Sequence, residues 1–78
     1  MLDETKLRRV MAQVLGIPPD AIDDEASTDT LAAWTSLRHM NLVLALEEAF
    51  DVQIPDEDAA NITSWPLVKV VMSELVQA

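Results

Sequence analysis

The chain has 78 residues with 14 acids, five bases, one histidine and no cysteine, giving a formal net charge of −9 at neutral pH. A chain of this length forms at most one domain, 1–78, and buries only about 60 to 65 per cent of its unfolded surface, which excludes an enzyme with its own substrate domain. The negative field disfavours nucleic acid and membrane surfaces as partners, and the missing cysteines exclude a disulfide framework and a thiolate metal site, as expected of a monomer in a reducing cytoplasm. Half of the residues are apolar and glycine occurs once, so neither a disordered chain nor a many-stranded β fold is expected, and an all-α fold remains.

The opening Met1-Leu2-Asp3-Glu4-Thr5-Lys6 shows no basic segment followed by an apolar stretch, so no signal peptide is expected. From Leu2 to Gly16, the residues Leu7, Val10, Met11, Val14 and Leu15 recur at the spacing of one helical face. Gly16 suits a left-handed helix end, and Pro18 and Pro19 prevent the helix from resuming. The stretch from Ile17 to Thr35 has no sustained period and carries five acids without a base. A loop this long needs apolar anchors, and Ile17, Ile22, Leu31 and Trp34 are spaced to provide them.

A second helix is predicted from about Ser36 to Phe50, with Leu37, Met40, Leu42, Val43, Leu44, Leu46 and Phe50 as a wide apolar face and Glu47 and Glu48 outside. The alternating run from Phe50 to Ile54 has no partner strand and is stopped by Pro55, so it is read as a turn. A short helix beginning at Asp56, Glu57 and Asp58 follows, with acids where a helix N-terminus favours them. A last helix starts after a Thr63 or Ser64 cap, with Pro66 in its first turn, and runs to Val76 through Leu67, Val68, Val71, Met72 and Leu75. The expected core contains Leu7, Val10, Val14, Leu37, Val43, Leu46, Phe50, Ile54, Ile62, Val68, Val71 and Leu75, with Met11, Met40 and Met72 beside them.

Little in the chain points to catalysis. The acids Asp20, Asp23, Asp24, Glu25 and Asp29 lack the alternating ligands and central glycine of a helix-loop-helix calcium site, and His39 alone makes no zinc site. Ser36 and His39 are three apart on one helix, but no nucleophile elbow and no glycine-rich oxyanion turn accompany them. Neither a metal site nor an enzyme is expected. On spacing alone Ser36 is a helix N-cap, a place where a tethered phosphate would meet unpaired backbone N–H groups and the positive end of the helix dipole.

Through Thr35-Ser36-Leu37, then Leu42 to Asp51 (LVLALEEAFD), Ile54 to Ala59 (IPDEDA) and Ile62-Thr63, the sequence resembles the acyl carrier protein family. The resemblance covers nearly the whole chain in one register. It implies a four-helix bundle, with three main helices, one short helix and a long first loop. It also implies a 4′-phosphopantetheine arm on Ser36 that carries acyl or related groups as thioesters. A chain without cysteine would need such an installed thiol for thioester chemistry. The partners implied are a phosphopantetheinyl transferase and acyl-loading and acyl-processing enzymes with basic docking surfaces, meeting Thr35, Leu37, Arg38, Met40, Glu47, Glu48, Asp51 and Glu57.

From Met40 to Val68 there are six acids and no Lys or Arg, a strip suited to steering basic partners. The competing readings are an aminoacyl or peptidyl carrier, and an interaction module of the same fold without the arm. Family members usually place an acid directly before the serine and another two residues after it, whereas Thr35 and Arg38 stand here, with Trp34 two before the serine. The upper part of the second helix is thereby neutral to basic, which favours a dedicated pathway over the housekeeping one. Trp34 and Trp65 are both expected to pack against the ends of the bundle.

Overall fold

The computed structural model describes residues 2–77, leaving aside the side chain of Gln77. Helix α1 spans Glu4–Leu15, α2 Ser36–Phe50, α3 Asp56–Asn61 and α4 Trp65–Gln77, and the long first loop contains one 3-10 turn at Pro19–Ala21. This is the all-α bundle of three main helices and one short helix. Among the described residues the only β pairing is a single bridge between Ser27 and Ser64.

Each helix boundary has a local cause. Asp3 is extended and accepts the Lys6 N–H, which moves the start of α1 two residues inward from Leu2. Gly16 closes α1 at φ +68°, in the left-handed region where a Cβ is costly. Asp51 takes the same conformation after α2, at φ +53°, which an aspartate tolerates better than most residues. Ser64 is the residue that caps α4, its Oγ accepting the Leu67 N–H at 3.3 Å.

Leu7, Met11, Leu15, Ile22, Trp34, Leu42, Leu46, Ile54, Ile62, Trp65, Val68 and Met72 form the buried centre. The long loop is anchored by buried Ile22 and Trp34 and half-buried Ile17 and Leu31. Backbone bonds that the sequence does not reveal secure it further. Trp65 donates to the Ala26 carbonyl at 2.9 Å, and Thr28 donates to the Thr63 carbonyl at 3.0 Å.

Leu37 and Met40, expected inside, lie outside together with Leu44 of the same apolar face: they are 70%, 66% and 63% exposed. They are apolar at i, i+3 and i+7 on the side of α2 opposite Leu42 and Leu46. A helix apolar nearly all round cannot bury every face in a two-layer bundle, and periodicity does not say which face meets α1. Val10, Val14, Val43, Phe50, Val71 and Leu75 are half-buried against the core instead of within it. Phe50 packs under the Lys6 ammonium at 4.8 Å from its ring centroid, so truncating it costs less than the 3 to 5 kcal/mol typical of a fully buried phenylalanine.

Candidate functional site

Ser36 is the first residue of α2 and is exposed. It is not the cap. Thr35 holds that position, with extended backbone at φ −85° and ψ 169° and its Oγ1 accepting the Arg38 N–H at 3.2 Å. The one-residue shift means that Thr35 caps the helix while Ser36, the first helical residue, is not the cap. Thr35→Ala should therefore lower stability by about 1 kcal/mol in chemical denaturation, whereas Thr35→Asp, which keeps a capping oxygen, should hold the wild-type value.

Ser36 opens onto a recess of about 410 Å³ lined by Thr28, Trp34, Thr35, Ser36, His39, Met40, Ala60 and Thr63. Its walls are the end of the long loop, the first turns of α2 and the α3–α4 link, held together by the Thr28–Thr63 backbone bond. A second recess of about 290 Å³ adjoins it between α2 and α3, lined by His39, Met40, Val43, Leu44, Ala59 and Ala60 and almost wholly apolar. The small side chains of Ala59 and Ala60 leave this space free.

His39 stands where the two recesses meet. Its Nδ1 accepts the Trp34 Nε1–H at 3.0 Å, and its Nε2 lies 2.7 Å from the Ala59 carbonyl oxygen. The two rings stack with centroids 6.0 Å apart. The sequence offers His39 only as a lone zinc ligand or a neighbour of Ser36 and does not reveal this bridge. The available signals were an indole donor five residues earlier and the small pair Ala59-Ala60 in the short helix.

The remaining residues of interest fall into separate groups. Leu37 and Met40 form the exposed apolar stripe with Leu44. Arg38 turns away from it, its Nη1 donating to the Leu15 carbonyl at 2.7 Å and to Ala33 at 3.4 Å. Its cation thus faces the C-terminal end of α1, where carbonyls and the helix dipole favour it. Glu47 is half-buried and accepts the Ile54 N–H at 2.9 Å, fixing the turn after α2. Glu48, Asp51 and Glu57 are exposed. Ion pairs among the described residues are those of Lys69 with Glu4 at 3.5 Å and Asp24 at 3.6 Å, so no acid of α2 or α3 is paired with a cation there.

Residues 5–64 match the family model described as a phosphopantetheine attachment site. The chain belongs to that family. Its fold is that of the solution structure of a holo acyl carrier protein from Geobacter metallireducens, with a TM-score of 0.85 and 21% identity, covering 99% of this chain and 88% of that one. The cofactor is a covalently attached 4′-phosphopantetheine, and the carrier itself is not an enzyme. The residues around Ser36 fit such a group. An exposed hydroxyl at a helix start adjoins unpaired N–H groups that suit a phosphodiester, and the recess beside it offers hydroxyls of Thr28 and Thr63 before giving way to apolar walls.

Proposed function

We propose that this carrier bears its arm on the Ser36 hydroxyl and delivers acyl or related groups within a dedicated biosynthetic pathway in the cytoplasm, acting as a monomeric single domain, 1–78. The observation that carries the reading is the exposed, uncommitted Ser36 at the first position of α2, facing the recess. The bound arm supplies a thiol that holds cargo as a thioester. The chain's own residues do the rest. The first-turn N–H groups of α2 stabilise the phosphodiester, worth about 0.3 to 1 kcal/mol at an exposed helix end, and the apolar recess behind Met40 shields the first carbons of the cargo from water.

Incubation with coenzyme A and a broad-specificity phosphopantetheinyl transferase should add one arm by intact mass, located by peptide mapping to Ser36. A protein that stays unmodified, or modified elsewhere, refutes the assignment.

The partners are the transferase and the enzymes that load and process cargo. Leu37 and Met40 supply an apolar contact next to Ser36, Thr35 and Arg38 flank it, and Glu47, Glu48, Asp51 and Glu57 supply the charge. A hollow lined by Glu47, Gln53, Ile54, Pro55 and Asp56 lies between the end of α2 and the start of α3, of a form and charge suited to a Lys or Arg side chain. The dedicated pathway rests on the neutral Thr35 and on an Arg38 whose guanidinium serves the fold, so a partner that requires acids on both sides of the serine finds none.

Because Glu47 also holds the Ile54 N–H, the charge is best tested at the exposed positions. Glu48→Gln with Glu57→Gln should slow association with a basic partner enzyme several-fold at low salt and leave dissociation nearly unchanged, with the difference shrinking as salt is added. Stopped-flow association rates that are equal at every ionic strength would overturn this.

A further inference from the structure

The bridge at His39 links the end of the long loop, α2 and α3 through two hydrogen bonds. An indole N–H can only donate, so the bond from Trp34 Nε1 fixes His39 Nδ1 as an acceptor without a proton. The neutral ring then carries its proton on Nε2, which donates to the Ala59 carbonyl. That bond joins α2 to α3, the two walls of the inner apolar recess, inner in lying beyond the one at Ser36 and open to solvent along Met40 and Leu44. Among the residues lining both recesses, His39 is the only titratable or charged side chain. At about 290 Å³ the inner recess is at the lower edge of the range for small-molecule pockets. A short chain fits in the recess as it stands, whereas burying a long one between the helices, instead of leaving it along the exposed Met40 and Leu44 edge, requires α3 to move away from α2.

We propose that His39 is a latch that sets cargo length, its hydrogen bond to the Ala59 carbonyl closing the inner recess to long acyl chains. It is a positioning residue: it acts by tying two helices together, with Trp34 holding the ring in the tautomer that can donate. Short acyl groups are sheltered with the latch closed. Long chains enter only when the bond breaks. The proposal rests on the carrier reading given above and deepens it.

The test loads the full chain with butanoyl, octanoyl and dodecanoyl arms, using acyl-coenzyme A and a broad-specificity transferase, and follows thioester loss to hydroxylamine. His39→Leu keeps bulk but lacks the donor, while His39→Gln keeps a donor near the Nε2 position. Dodecanoyl protection should rise about threefold or more in His39→Leu, the change that one hydrogen bond supports, with butanoyl unchanged and His39→Gln close to wild type. A His39→Leu profile matching wild type at every length overturns the latch.

Should His39→Leu fail to fold, the wild type decides alone, because its single histidine gives one set of imidazole signals in nitrogen-15 spectra. The unloaded and butanoyl forms should show the Nε2–H tautomer with a slowly exchanging proton, and the dodecanoyl form should lose that protection. A different tautomer in the unloaded protein, or signals indifferent to dodecanoyl loading, overturns the latch and leaves the carrier reading standing. Intact mass on the same samples separates the two failures, since a chain that never gains an arm overturns both.

Discussion

Ser36→Ala should gain no arm in any transferase reaction while melting within about 2 to 4 °C of wild type. The change removes the only oxygen of that side chain, so the loss of loading should be complete. Stability should hardly move, because Ser36 is exposed and the helix is capped by Thr35, and exposed substitutions away from caps and cores usually lie within about 0.5 kcal/mol. Thr35→Ala should lose stability and keep loading, and Ser36→Ala should lose loading and keep stability. If Ser36→Ala is still modified, or if it melts as low as Thr35→Ala, the separation of capping from attachment is wrong.

Trp65→Ala should remove between about a quarter and all of the stability of the domain. Trp65 is fully buried at the start of α4, with the Arg8 guanidinium 5.1 Å and the Lys69 ammonium 5.6 Å from its ring centroid. Its removal leaves a cavity and both cations without an aromatic face, and a buried tryptophan truncated to alanine costs about 3 to 5 kcal/mol. A chain of 78 residues has a total stability of about 4 to 12 kcal/mol by per-residue scaling. In calorimetry the melting temperature should fall by at least about 12 °C. Trp65→Phe should be far milder, because the indole Nε1 is buried with no hydrogen-bond partner among the described residues, and deleting an unpaired polar atom offsets part of the lost volume. A Trp65→Ala domain as stable as Trp65→Phe would show that the ring is not a keystone of the bundle.

The helices were legible because their signals are local. Gly16 before two prolines, acids at Asp56 to Asp58 and the run from Leu42 to Phe50 each fix an element without reference to the rest of the chain. The register of α2 was not legible: with apolar residues nearly all round, only the packed neighbours decide that Leu42 and Leu46 go in while Leu37, Met40 and Leu44 stay out. At the site, the identity of Ser36 came from resemblance, and its distinction from the Thr35 cap needed backbone angles. The His39 bridge was invisible for another reason. One of its acceptors is a backbone carbonyl 20 residues away, and a carbonyl leaves no trace in the residue type. The same holds for Arg38, whose partners are the carbonyls of Leu15 and Ala33.

The stitching of the long loop to the α3–α4 link has a kinetic meaning. The bonds from Trp65 to Ala26 and from Thr28 to Thr63 join segments more than thirty residues apart, whereas helices form within themselves. Closing so large a loop loses chain entropy before any contact repays it, so non-local pairings of this kind form slowly. Thr28 and Thr63 are also walls of the recess at Ser36. The recess is therefore completed by a long-range pairing, and nascent helical intermediates lack it. An enzyme that reads the recess as well as the serine would select, without any further checkpoint, chains that have finished folding.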